Sequence, residues 1–145
     1  MLLGCFDICS MHQQVIMESS LSNVNGIEKL LSDLKDEYSV TEEVYNDMWV
    51  VLNEAVTNAI RHGNQFDLNK NVCLNVEFRE DRYLCFIVKD QGKGFNHRLV
   101  PDPTSPERIA EPNGRGVFLI KKLSDRVNFS RNGTMVEMWF DLFKN

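Results

Sequence analysis

Eight apolar residues, Val44, Met48, Val51, Leu52, Ala55, Val56, Ala59 and Ile60, recur at helical spacing in one segment. They define a helix with a single apolar face, which must be buried against another layer of structure. A second periodicity runs through the same segment. Glu54 and Asn58 are four residues apart, so they stack one turn above the other on a different face, and Arg61 and His62 follow in the next turn. An acid and an amide stacked in this way can orient a nucleophile and hold a metal-bound phosphate. The same pair also fits an ordinary solvated helix face, and this segment alone favours that plainer reading.

The rest of the chain is punctuated clearly enough to set out its elements. Gln13 to Met17 reads as a first strand. Ser19, Ser20 and Ser22 offer N-caps for a helix through Ile27, Leu30, Leu31 and Leu34. Thr41-Glu42-Glu43 opens the second helix, which should run to about His62 and stop near Gly63. Residues 71 to 79 alternate Val72, Leu74, Val76 and Phe78 with more polar neighbours, the pattern of a half-buried strand. Glu80-Asp81-Arg82 turns the chain into a strand from Tyr83 to Lys89. Further strands, Arg126 to Arg131 and Thr134 to Phe143, flank Asn132-Gly133, a strong hairpin signal. All four prolines, Pro101, Pro103, Pro106 and Pro112, fall between Gly94 and Asn113, where no regular element continues.

Two more segments carry potential chemistry. In Phe86-Ile87-Val88-Lys89-Asp90-Gln91-Gly92-Lys93-Gly94 an apolar strand ends on a carboxylate and gives way to two glycines. A carboxylate there can accept a hydrogen bond from an exocyclic amine such as that of adenine, and glycines let backbone approach a ligand. A plain Asp-Gly turn has the same sequence. In Asn113-Gly114-Arg115-Gly116-Val117-Phe118 a glycine pair leads into a short apolar-periodic helix. A helix N-terminus with free N–H groups is an anion site, although many loop-to-helix junctions look alike.

Taken together, in this order and spacing, the three segments are far more specific. They resemble the N, G1 and G2 boxes of the GHKL (HATPase-type) ATPases, whose nucleotide site is the Bergerat fold. The resemblance is strongest to the small bacterial anti-sigma factor serine-protein kinases of the sigma-B and sporulation regulator type, and it covers roughly residues 12 to 143. It implies an α/β (α+β) two-layer sandwich, a mixed but mainly antiparallel sheet with helices on one face. It implies that Asn58 coordinates Mg²⁺ and that Glu54 is the catalytic general base. Asp90 would bind the adenine amine, and Gly92, Gly94, Gly114 and Gly116 would let backbone and lid close on ATP, the lid being residues 96 to 113. His62 would be an accessory nucleotide contact; a helix-terminal histidine bonding a carbonyl is its plainer role. The resemblance departs at one place. Members often carry Glu-Arg-Ser-Gly before the third box, whereas this chain has Glu111-Pro112-Asn113-Gly114. The arginine that approaches the γ-phosphate is therefore absent from its usual position, and Arg115 is the candidate to replace it.

Composition fits this assignment. A chain of 145 residues, 43% hydrophobic and 26% charged, is expected to form one domain, residues 1–145, with a sizeable core. A net charge of −5 with no basic run argues against nucleic acid as a partner. Cys5, Cys9, Cys73 and Cys85 fit neither a zinc framework nor a secreted disulfide set. No stretch is long enough to span a membrane, and Leu2-Leu3-Gly4-Cys5 lacks the basic and apolar regions of a lipoprotein leader. A cytoplasmic protein is expected.

Two function classes are compatible with these features. One is an ATP-dependent serine/threonine kinase and anti-sigma factor, phosphorylating a STAS-type anti-anti-sigma antagonist, binding a sigma factor or other regulatory protein, and working as a homodimer. The other is a nucleotide-gated binding module of the same fold with little or no kinase activity. Glu54 favours the first, because nucleotide binding alone needs no base.

Overall fold

The computed structural model describes residues 12–94 and 112–144. Five strands form one sheet: β1 (His12–Glu18), β2 (Asn71–Arg79), β3 (Tyr83–Lys89), β4 (Arg126–Ser130) and β5 (Met135–Asp141). Their order across the sheet is β1-β2-β3-β5-β4. Each pairing is antiparallel, from His12↔Glu77 in the first ladder to Arg126↔Trp139 in the last. Because β3 and β4 both run against β5, they point the same way, and a crossover containing a helix joins them. Three helices, α1 (Asn25–Tyr38), α2 (Glu42–Asn58) and α3 (Pro112–Leu123), complete the second layer.

The alternation along the strands decides which face the helices cover. Val72, Leu74 and Val76 of β2, Leu84, Phe86 and Val88 of β3, and Val136, Met138 and Phe140 of β5 share one buried cluster with α1 and α2. Phe86 and Phe140 meet edge-to-face, with ring centroids 5.8 Å apart. The residues between them face the other way. There Arg79 pairs with Glu77 and with Glu137 at 2.8 Å, and its guanidinium lies 5.0 Å from the Trp139 ring centre. The result is the expected two-layer sandwich. The apolar face of α2 is buried as its periodicity demands: Met48, Val51, Leu52 and Val56 are sealed from solvent, each burial worth about 1.5–3 kcal/mol. Cys85 lies in the sheet with its thiol pushed up to about 12 by burial, while Cys73 is half-buried. Among the described residues, no helix is long and apolar enough to cross a membrane.

Several boundaries differ from the sequence reading, each for a visible reason. Thr41 caps α2 as expected, accepting the Val44 N–H at 3.4 Å. None of the three serines caps α1. A 3-10 turn over Leu21–Val24 runs directly into α1, so Val24 is already helical where a cap would sit. Ser19 Oγ instead donates to the Lys70 carbonyl at 2.6 Å, and Ser20 and Ser22 bond to each other. The β4–β5 turn is a four-residue loop, since Ser130↔Met135 is its last pair; Arg131, Asn132 and Gly133 all have positive φ. Strand β5 stops at Asp141, where the Arg82 guanidinium grips the carboxylate through two bonds of 2.8 and 2.7 Å. Pro112 does not interrupt structure. It is the first residue of α3, a position that suits its fixed φ and missing N–H. The other three prolines, and residues 96–111 of the expected lid, lie outside the described residues.

Candidate functional site

The site begins where α2 ends. After Asn58 the helix widens into a single π turn, Ala59–Gly63, which the Asn64 N–H closes on the Ala59 carbonyl at 2.8 Å. Such turns insert one residue into a helix and redirect the chain beyond them. Here the extra width brings Gly63 against the end of β3. A Cβ at Gly63 would lie 2.7 Å from Asp90 Oδ1, and one at Gly92 would collide with the Gly63 carbonyl. Only backbone without side chains allows this approach.

Asp90 is fixed from two sides. Its N–H donates to the Thr134 carbonyl at 2.9 Å, and its Oδ1 accepts the Gly92 N–H at 2.8 Å. Burial raises the affinity of this carboxyl for its proton, partly opposed by the Gly92 N–H and the Lys70 charge. The half-buried acceptor is thereby made ready for a donor. It lines a cavity of about 290 Å³ whose apolar walls include Val88, Val117, Phe129 and Val136, with Asn58, His62 and Thr134 among its polar groups. Apolar walls closed by a few fixed polar groups suit a flat heterocycle with an exocyclic amine. Gly94 also lines the cavity, with φ +85°, and a Cβ there would collide with the Asn132 carbonyl. His62 is exposed at the cavity rim; burial, then the neighbouring Arg61 charge, lowers its pKa.

At the other end, Glu54 and Asn58 are half-buried on α2, stacked as their spacing requires. The first turn of α3 rests on them. A Cβ at Gly116 would be 2.7 Å from Glu54 Oε2 and 2.9 Å from Asn58 Nδ2. Gly114 is buried in that turn and Arg115 is exposed. The glycine pair is thus inside the helix rather than ahead of it, with Gly116 set against Glu54 and Asn58. Asn58 and Glu54 offer hard oxygen donors. Among the described residues no group of three His, Cys, Asp or Glu side chains could hold a metal ion, so a divalent ion here would draw its remaining ligands from phosphate and water, as Mg²⁺ commonly does.

The structure therefore brings Asn58, His62, Asp90 and Gly94 to one cavity, with Gly92 packed behind it and Glu54, Gly114, Arg115 and Gly116 at its α3 end. Sequence reasoning overlooked Asn64 and Thr134. Asn64 Oδ1 accepts the Gln91 N–H at 2.7 Å, and Thr134 supplies the carbonyl that holds Asp90. Asn64 carried a weak signal, a polar residue directly after the helix-ending glycine. Thr134 carried none, because its role comes from its main chain.

Most of the chain matches a known family. Residues 17–140 match the family model of the histidine kinase-like ATPase domain. The chain is 29% identical over 123 residues to the serine-protein kinase RsbW of Oceanobacillus iheyensis, covering 78% of this chain and 76% of that kinase. It is 28% identical over 130 residues to the serine-protein kinase RsbW of Staphylococcus aureus, covering 83% of this chain and 80% of that kinase.

Proposed function

Because the chain belongs to the histidine kinase-like ATPase domain family, we propose that it is an ATP-dependent serine/threonine protein kinase that acts as an anti-sigma factor. Its substrate is a STAS-type anti-anti-sigma protein, its regulatory partner a sigma factor, and its working form a cytoplasmic homodimer. The observation that carries this reading is the arrangement of Asp90, Asn58 and Glu54. The half-buried carboxylate stands at the cavity wall, and the amide and acid stack on α2 where Gly116 of α3 meets them. The likeness to two serine-protein kinases over most of the chain supports the kinase over a mere binding module.

The residues divide the work. Asp90 accepts the adenine amine and His62 edges the same cavity. Asn58 provides an oxygen ligand for Mg²⁺, whose charge offsets that of the phosphates when bound. The free N–H groups at the start of α3, that of Gly114 among them, meet the phosphates, and Arg115 brings a positive charge in place of the arginine missing before the third box. Glu54 takes the proton of the attacking serine or threonine hydroxyl as its oxygen bonds to the γ-phosphorus, and the bond to ADP breaks.

The test is transfer of labelled γ-phosphate from Mg-ATP to a STAS-domain protein encoded beside this chain. Label appearing on a serine or threonine supports the kinase. Tight ATP binding without transfer would leave the nucleotide-gated module.

A further inference from the structure

We propose that Asn64 is the positioning residue that sets base specificity, holding the Asp90–Gly92 segment in register to read adenine; this rests on Asp90 being the adenine acceptor. Asn64 is 1% exposed, and so is Ser19 beside it. Its amide is fully used. Oδ1 accepts the Gln91 N–H at 2.7 Å, and Nδ2 donates to the Asn71 carbonyl at 3.0 Å and to Ser19 Oγ at 2.9 Å. The ring then closes, because the Asn71 N–H donates to Gln91 Oε1 at 2.7 Å. Three segments meet in this ring: the chain after α2, the start of β2 seven residues on, and the residue following Asp90.

The ring lies where the sheet can no longer fix the chain. The β2–β3 ladder ends at Cys73↔Lys89. Beyond it Asp90 hangs from the Thr134 carbonyl on one side and, through Gln91, from Asn64 on the other. Removing the Asn64 amide leaves the Gln91 N–H without its acceptor and frees the turn in which the Gly92 N–H meets Asp90 Oδ1. Discrimination between purines depends on that carboxylate being held still. Adenine presents an amine donor where guanine presents a carbonyl acceptor, which a fixed carboxylate repels. A carboxylate able to swing would read either base.

Calorimetry with ATP and GTP on the full chain, together with melting temperatures, tests the assignment in wild type and in Asn64→Ala, Asn64→Asp and Ser19→Ala. Asn64→Ala should weaken ATP binding about tenfold while changing GTP little, so the ATP-to-GTP ratio collapses. Asn64→Asp retains the acceptor for the Gln91 N–H and should keep much of the ratio, even if it melts as early as the alanine variant. Ser19→Ala should lower the melting temperature and leave the ratio unchanged. A folded Asn64→Ala with the wild-type ratio overturns the proposal. If Asn64→Ala does not fold, loss of the ratio in Asn64→Asp overturns it. A wild type that does not prefer ATP is a different failure, that of the adenine reading itself.

Discussion

The two ends of the cavity are built in opposite ways. The base end is made of strand termini and a closed ring of hydrogen bonds, with Asp90, Gln91 and Asn64 each held by at least one bond of 2.7–2.9 Å. The phosphate end is made of half-buried side chains on α2 and a turn of α3 that touches them through a glycine. On the proposed reading, recognition of the base is preformed, while the chemistry depends on groups that have room to adjust to phosphate and metal. Changes at the two ends should accordingly fail in different ways.

The sharpest way to separate the ends is Glu54→Ala. It should lower phosphoryl transfer by about 100-fold or more, the scale of a lost general base, with ATP affinity and melting temperature nearly unchanged; transfer at the wild-type rate would make Glu54 a surface acid. Gly116→Ala comes next. Its methyl displaces the ends of the Glu54 and Asn58 side chains at little cost to folding, and should weaken Mg-ATP binding roughly tenfold in a titration. At the base end, Asp90→Asn offers an amide where the pocket needs an acceptor, and should weaken ATP about tenfold by calorimetry. The same variant should melt higher than wild type at neutral pH. A carboxyl whose folded pKa is raised binds its proton more tightly in the folded state, so its contribution falls as pH rises through that value. The gain should vanish in acid, below the carboxyl's unfolded value, and melting curves across pH would show it. The smallest effect is expected from Arg115→Ala, where loss of an exposed charge should reduce the preference for ATP over ADP about threefold.

Legibility in the sequence divides along the line between local and tertiary structure. Period-2 alternation drew β2 at its observed bounds, because one face of it is sealed against the helices, and the turn at Glu80-Asp81-Arg82 with the apolar run after it drew β3. Glu54, Asn58 and Asp90 could be singled out because spacing on a helix and position at a strand end are local properties. The π turn could not be, since Ala59–Gly63 continues the apolar period through Ile60 and nothing in it forbids an ordinary helical turn. The N-capping serines misled for a related reason. Ser19 is drawn away by Lys70, 51 residues along the chain, and that partner exists only once β1 and β2 are paired. The Asn64 ring, spanning Ser19 to Gln91, is tertiary throughout.

The wide turn also separates folding from function along the chain. Ile60, within the turn, is buried in the core, and Gly63 at its end packs against Asp90. Deleting one residue between them would let the helix revert to its ordinary, narrower turn and draw Gly63 back from Asp90. The packed residues upstream would keep their phase while the pocket lost a wall. A length change of one peptide at this joint would therefore yield a folded protein unable to hold a nucleotide, a simple path by which a scaffold of this kind could outlive its catalytic role.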